Sequence, residues 1–322
     1  MTDASLTRRG LFAAAGAAGA AAALAPMAGL AATPMQGAHL PTYRRFKLGA
    51  FEVTALVDGT APRDAPETIF GIDQDPADVA ALLEDSLLPT DKAMFYFTPT
   101  VVNTGSQVLL FDTGLGAGAR AGGLGRTRAL LAETGIAPEA VDTVVLTHFH
   151  PDHIGGLMED GAPAFPNAQY VTAAAEYDFW SPEERLSGPT ERVAKLTASN
   201  VVPLADKISF ITPGDSIASG IDTIDASGHT PGHTAVHLES EGQRLMIVAD
   251  TAAHYIVSLQ RPDWHLLFDM DKEKAAATRK QIFGMIAADK IPFIGYHMPS
   301  VGFIEPSGDA FRFVAATYQL DL

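Results

Sequence analysis

Six residues constrain this chain more than any others: His148-Phe149-His150-Pro151-Asp152-His153. They follow the run Val141–Leu146, which is apolar or β-branched except at Asp142 and reads as a short buried strand. His148 and His150 are two apart on extended chain, so both imidazoles leave the same side and can reach one metal ion. Asp152 and His153 follow as the chain turns, and they offer an oxygen and a nitrogen to a second ion nearby. Gly155-Gly156 then permit a tight turn beside the site. Unpaired imidazoles and a carboxylate are costly to bury, so these side chains would make a poor core on their own. A fold that accepts them must end a strand where other ligands converge.

Further stretches supply those ligands. Ser227-Gly228-His229-Thr230-Pro231-Gly232-His233-Thr234 sets two histidines in a turn-rich segment. Ala249-Asp250-Thr251 closes the apolar run Leu245–Ala249, and Tyr296-His297-Met298 closes the run Ile291–Ile294. Each candidate stands where a strand is expected to end, the usual place for a site in an α/β sheet. Residues 43–57 read as a hairpin about Gly49, and 98–112 as two strands about Asn103-Thr104-Gly105-Ser106. Arg126–Thr134 reads as a helix stopped by Gly135, and a second helix is expected over Ala173–Trp180. Strands near Ile208, Ile221, Val236 and Met246 and a charged helix from Asp271 to Ala288 complete the pattern. The expected fold is α/β: two mixed sheets packed face to face, with helices outside.

Composition narrows the chemistry. None of the 322 residues is Cys, which removes thiolate-bound zinc, iron–sulfur clusters, disulfide scaffolds and thiol nucleophiles. The 38 acidic residues exceed the 22 basic ones, giving a net charge of −16, whereas a nucleic-acid-binding surface must be basic.

Residues 1–31 read as an export signal. Thr7-Arg8-Arg9-Gly10-Leu11-Phe12 precedes an Ala/Gly/Leu run to Ala25, and Ala31-Ala32-Thr33-Pro34 offers small residues for cleavage. The paired arginines resemble a twin-arginine signal, which carries folded proteins across the bacterial inner membrane. Glycines and Pro26 break the apolar run before it reaches the ~20 residues of a permanent span. The expectation is one domain over 32–322, working in the periplasm or secreted.

The His-x-His-x-Asp-His pattern at 148–153 resembles the signature of the metallo-β-lactamase superfamily. Within it the chain is most similar to the methyl parathion hydrolases and their lactonase and arylesterase relatives. The likeness runs from Gly49 to Phe311-Arg312-Phe313-Val314. It is strongest at Val102-Asn103-Thr104-Gly105-Ser106, Ala164-Phe165-Pro166-Asn167-Ala168, Asp178-Phe179-Trp180 and Gly228–Thr234.

The resemblance implies a four-layer αβ/βα sandwich. It also implies two Zn2+ ions per chain, with Co2+, Mn2+ or Fe2+ as alternative occupants. His148, His150 and His229 would hold one ion; Asp152, His153 and His297 the other; Asp250 would bridge them. His233 would support the loop rather than ligate. A bridging water, its pKa lowered toward about 7, would attack a carbonyl carbon or phosphorus, with Asp152 and Asp250 steering the proton. Metal-bound imidazoles need acceptors for their other N–H, and Asp112, in Asp112-Thr113-Gly114, is the candidate. Phe179 and Trp180 match a stretch that lines the leaving-group pocket, and His254 either lines the pocket or packs within the fold.

The loop 114–125 lacks the Phe that methyl parathion hydrolases place there. Metal chemistry therefore carries over and organophosphate specificity does not. The expected substrate is a small, neutral, hydrophobic lactone or aryl or carboxylic ester, with promiscuous organophosphate hydrolysis. A dedicated phosphotriesterase is the alternative. The relatives imply a homodimer.

Overall fold

The computed structural model describes residues 41–321 together with Met35, Gly37, Ala38 and Leu40. The export signal expected at 1–31 lies outside the described residues. The expected ligands all belong to one compact unit, Pro41–Leu322.

Two seven-stranded sheets form its centre. The first runs, in spatial order, Tyr43–Leu48, Phe51–Leu56, Thr100–Asn103, Val108–Phe111, Thr143–Leu146, Gln169–Ala173 and Ile208–Ile211. The second runs Ser216–Ala218, Ile221–Asp225, Thr234–Ser240, Gln243–Ala249, Phe293–Gly295, Gly302–Ser307 and Ala310–Ala315. Both are mixed: Thr143–Leu146 is parallel to both its neighbours, as Gln243–Ala249 is to Phe293–Gly295, while the hairpins are antiparallel.

The layering follows from side chains alternating along each strand. Val145 packs in the core between the sheets with Phe111, Val236 and Ile247, whereas Val144 and Leu146 face out toward Leu130 and Leu131 of the helix Thr127–Glu133. A strand covered on both faces must be apolar on both, which explains the unbroken run before His148. On the far side, the helix Lys272–Asp289, capped where Asp271 accepts from the Lys274 amide, buries Ile282, Phe283 and Ile286 against Met246, Val248 and Phe293. Helix, sheet, sheet and helix make a metallo-β-lactamase-type sandwich of mixed sheets.

Some boundaries move. The strand expected from Val141 starts at Thr143, because Asp142 turns its carboxylate to the Val108 amide at 2.8 Å. The strand expected in the run Ile291–Ile294 is Phe293–Gly295. Sequence reading also left out what lies between 59 and 97: the hairpin Gly59–Asp64/Lys92–Phe97 and the helix Pro76–Asp85, started by Asp75 and Pro76. Phe70, Leu83, Phe95 and Phe97 of this addition pack with Tyr296 and form one wall over the strand ends.

Candidate metal centre

The ends of four strands bring the expected ligands together. His148 follows Thr143–Leu146, Asp250 directly follows Gln243–Ala249, His297 follows Phe293–Gly295, and His229 lies in the loop after Ile221–Asp225. Two groups result, His148/His150/His229/Asp250 and Asp152/His153/Asp250/His297, and within each the donor atoms lie within 4.8 Å of one another. Asp250 belongs to both. Its Oδ2 is 3.0 Å from His297 Nε2 and 3.3 Å from His229 Nε2, while Oδ1 is 3.2 Å from His153 Nε2. Asp152 Oδ2 stands 3.4 Å from His153 Nε2 and 3.5 Å from His297 Nε2.

The donor set fits divalent cations. His148 Nε2, His153 Nε2 and Asp250 Oδ1 are buried without a hydrogen-bond partner, an expensive arrangement unless a cation takes their lone pairs. Three of the rings have their outer nitrogens satisfied, which turns their inner nitrogens toward the site as acceptors. His153 Nδ1–H donates to Asp112 Oδ2 at 2.8 Å, His229 Nδ1–H to Asp269 Oδ1 at 2.8 Å, and His297 Nδ1–H to the Tyr96 carbonyl at 2.7 Å. Asp112 also accepts the Thr147 amide and hydroxyl at 2.9 and 2.8 Å. It takes a left-handed backbone (φ 60°), which Asp tolerates better than most residues.

His233 is brought close but is already committed. Its Nδ1–H donates to the Ala226 carbonyl at 2.8 Å, and its Nε2 accepts the Asp250 amide at 3.2 Å. It therefore anchors the backbone of Asp250, whose preceding residue Ala249 is held at φ 44°. His254 Nδ1 accepts the amides of Ile256 and Val257, so this ring caps a helix start and packs on Phe70.

Burial lowers the His153 and His297 imidazoles, but the carboxylates against them prevail and push both up: Asp250, Asp112 and Asp152 at His153, Asp250 and Asp152 at His297. Burial pushes the imidazoles of His148, His150 and His233 down, the last two to about 3, so they stay neutral and able to donate lone pairs. Burial raises the Asp152 carboxyl, but His153 and His297 beside it prevail and hold it at about 2.

Two residues that sequence reasoning missed complete the frame. Asp269 joins His229 to Arg279, whose guanidinium reaches Asp269 Oδ2 at 2.8 Å. Glu176, fully buried in the helix Ala174–Trp180, accepts from Phe149 N, Trp180 Nε1, Thr230 Oγ1 and Gly232 N at 2.7–2.9 Å. It thereby ties the loop of His148 and His150 to the loop of His229 and His233. Gly232 is required there, because a Cβ would sit 2.3 Å from the Glu176 amide nitrogen. Trp180 accordingly turns its indole inward to Glu176, and Phe179 stacks under Arg185 at 3.9 Å. Neither of these two expected wall residues lines the cavity over the carboxylates.

A family model of the metallo-beta-lactamase superfamily matches residues 98–288, a span that holds every proposed ligand except His297. The chain belongs to the metallo-beta-lactamase superfamily. With its donor groups intact, it is a metal-dependent hydrolase of that superfamily. Among solved structures it is similar to AidC, a dizinc quorum-quenching lactonase in complex with the product N-hexanoyl-L-homoserine. That similarity has 26% identity and a TM-score of 0.78, covering 86% of this chain and 98% of AidC. It is equally similar to the hydrolase AbOPH of the beta lactamase superfamily, at 26% identity and TM-score 0.78 over 88% of this chain and 100% of that one. A probable metal-dependent hydrolase from Staphylococcus aureus shares the superfamily fold at 21% identity and TM-score 0.68, over 84% and 98% of the two chains. No curated protein matches the sequence.

A cavity of about 240 Å³ opens over Asp152, Asp250 and His297. Phe95, Phe97, Leu115 and Phe268 give it apolar walls, and Arg63 and Arg192 also line it. The aromatic residues come from the segments 95–97 and 264–268, which the sequence marks by bulk alone. Nothing in their sequence surroundings marks the arginines.

Proposed function

We propose that this superfamily member is a dinuclear zinc hydrolase that opens lactones or cleaves aryl and carboxylic esters. The observation that carries the reading is Asp250: one buried carboxylate shared by two four-residue donor groups, with three inward-facing donor atoms otherwise unpartnered. When bound, such ions supply a nucleophilic water at neutral pH and polarise the scissile carbonyl.

The chain's own residues do the rest. Asp112, Asp269 and the Tyr96 carbonyl lock three imidazoles in one tautomer and orientation. His233 fixes the main chain of Asp250, so both its oxygens stay aimed into the site. Asp152 lines the cavity with its side chain 17% exposed, placing a carboxylate oxygen where the attacking water's proton can be received. The Tyr296 hydroxyl donates to the Asp152 carbonyl and keeps that turn in place. Phe95, Phe97 and Phe268 exclude water and accept an apolar acyl or aryl body. The product-bound lactonase at 26% identity supports a lactone or ester as substrate.

The Arg8-Arg9 segment supports export to the periplasm, which the N-terminal sequence of protein recovered from that compartment would test. A homodimer is the proposed assembly, to be read by sedimentation.

The experiment is a panel on one zinc-loaded preparation: N-hexanoyl-homoserine lactone, dihydrocoumarin, 4-nitrophenyl hexanoate and methyl parathion. A kcat/KM for the lactones or the ester at least tenfold above that for methyl parathion is expected. The reverse order would make the protein a phosphotriesterase, and no turnover of any of them would end the lactone and ester reading.

A further inference from the structure

The cavity carries two charges that the ester-hydrolase reading does not use. Arg63 projects from the strand Gly59–Asp64 and Arg192 from the helix Glu191–Asn200, and both line the cavity. Arg63 lies 5.9 Å from the centre of the Phe95 ring, and Phe95 in turn packs edge-on against His297 at 4.9 Å. The first guanidinium is thus one aromatic ring away from a ligand of the metal centre.

Neither arginine has an ionic partner among the described residues, and the acids next to them are already taken. Asp64 pairs with Lys92, and Glu191 pairs with Lys195 at its i+4 position. The carboxylates inside the cavity, Asp152 and Asp250, are turned to His153 and His297. Elsewhere Arg44, Arg120, Arg128, Arg244, Arg279 and Arg312 face carboxylates, while Arg45 and Arg261 donate to backbone carbonyls and Arg185 lies over Phe179, all three outside this cavity. In a chain with 38 acidic residues, this cavity sets two guanidiniums without ion pairs beside carboxylates that face imidazoles. Net charge does not decide what enters, since exposed charges beyond about 8 Å are screened at physiological ionic strength. What can bind is therefore set by the groups that line the cavity, the two guanidiniums among them.

We propose that Arg63 and Arg192 form an anion subsite. It selects a lactone or ester that carries a free carboxylate several bonds from the scissile carbonyl. A guanidinium presents paired N–H donors that match a carboxylate in fork geometry, which a neutral chain end cannot use. The Phe95 ring lies beneath the Arg63 guanidinium, at the edge of cation–π range.

The proposal rests on the hydrolase reading, and its test separates the two. Mono-4-nitrophenyl adipate and 4-nitrophenyl hexanoate have acyl chains of equal length and differ by the terminal carboxylate. On the zinc-loaded full chain, kcat/KM for the adipate ester should exceed that for the hexanoate at least tenfold. The excess should appear mainly in KM and shrink as salt is raised. In Arg63→Gln and Arg192→Gln the adipate-to-hexanoate ratio should fall about fivefold or more each, with Arg63→Lys restoring part of it. A wild-type ratio near one, or a ratio that the substitutions leave unchanged, overturns the subsite.

If neither ester is turned over, the ester-cleavage part of the proposed function fails and calorimetry still reads the arginines. Adipate should bind the zinc-loaded protein at least fivefold tighter than it binds the Arg63→Gln/Arg192→Gln double variant, with hexanoate showing no such difference. Equal adipate binding by both proteins contradicts the proposal.

Discussion

Asp112 Oδ2 accepts the Nδ1–H of His153 at 2.8 Å, and this bond sends His153 Nε2 inward to within 3.2 Å of Asp250 Oδ1. Removing the acceptor frees the ring and its tautomer. Losses of this kind typically weaken metal affinity about 10–100-fold. In Asp112→Ala, one of two metal equivalents should therefore dissociate at a chelator concentration about tenfold lower or less, read by absorbance of a chromogenic chelator. An unchanged two-step release would mean that the Asp112 contact does not orient the ligand.

Glu176 holds four donors from three segments, and each buried donor left without an acceptor costs about 1–3 kcal/mol. Glu176→Gln presents an NH2 where an acceptor is needed. It should destabilise the fold by about 2–4 kcal/mol, a large share of a typical 5–15 kcal/mol. A thermal scan with bound zinc retained should record a drop of several degrees, and metal release should quicken because both ligand loops loosen together. A Tm within a degree of wild type would show that the carboxylate is not the tie between the loops.

Acid sensitivity has a specific origin in His254. Burial pushes its imidazole down to about 4, whereas the unfolded chain titrates near 6.5. Below 6.5 the unfolded state takes up a proton that the folded state refuses until about pH 4. The stabilising contribution is therefore complete above pH 6.5 and lost as pH falls through that window, at up to about 1.4 kcal/mol per pH unit. His254→Asn keeps a side-chain acceptor for the Ile256 and Val257 amides and removes the titration. Denaturant melts of the two proteins between pH 7 and pH 4.5 should converge as pH falls. Parallel curves would place the acid sensitivity elsewhere.

What the sequence discloses and what it hides follows from locality. His148, His150, Asp152 and His153 are legible because one strand end delivers them together, and Asp250 and His297 because each follows an apolar run. Asp112 is legible for the same reason, at the end of Val108–Phe111. Glu176 is not: in Ala174-Ala175-Glu176-Tyr177-Asp178 it looks like a solvated helix residue, and a helix of seven residues shows too little periodicity to correct that. The signal that could have found it is Trp180, one helical turn on, whose indole needs an acceptor when buried. Asp269 lies 40 residues from the imidazole it orients, and no motif surrounds it. Phe179 and Trp180 mislead because a match in sequence does not say which face an aromatic side chain takes. The 59–97 addition, which forms one wall of the cavity, is hidden by Pro62 inside a strand and by a helix of only ten residues.

The central claim is that one carboxylate, Asp250, joins two metal positions into a single hydrolytic site. The most direct measurement is zinc content per chain by elemental analysis, taken alongside lactone hydrolysis on the same samples, for wild type and Asp250→Ala. The account predicts about two zinc ions per wild-type chain, activity that rises in step with zinc added to stripped protein, and fewer than one ion with at least a thousandfold loss of kcat/KM in Asp250→Ala. Full activity in zinc-stripped protein, or an Asp250→Ala variant that keeps two ions and hydrolyses lactone at the wild-type rate, would contradict it.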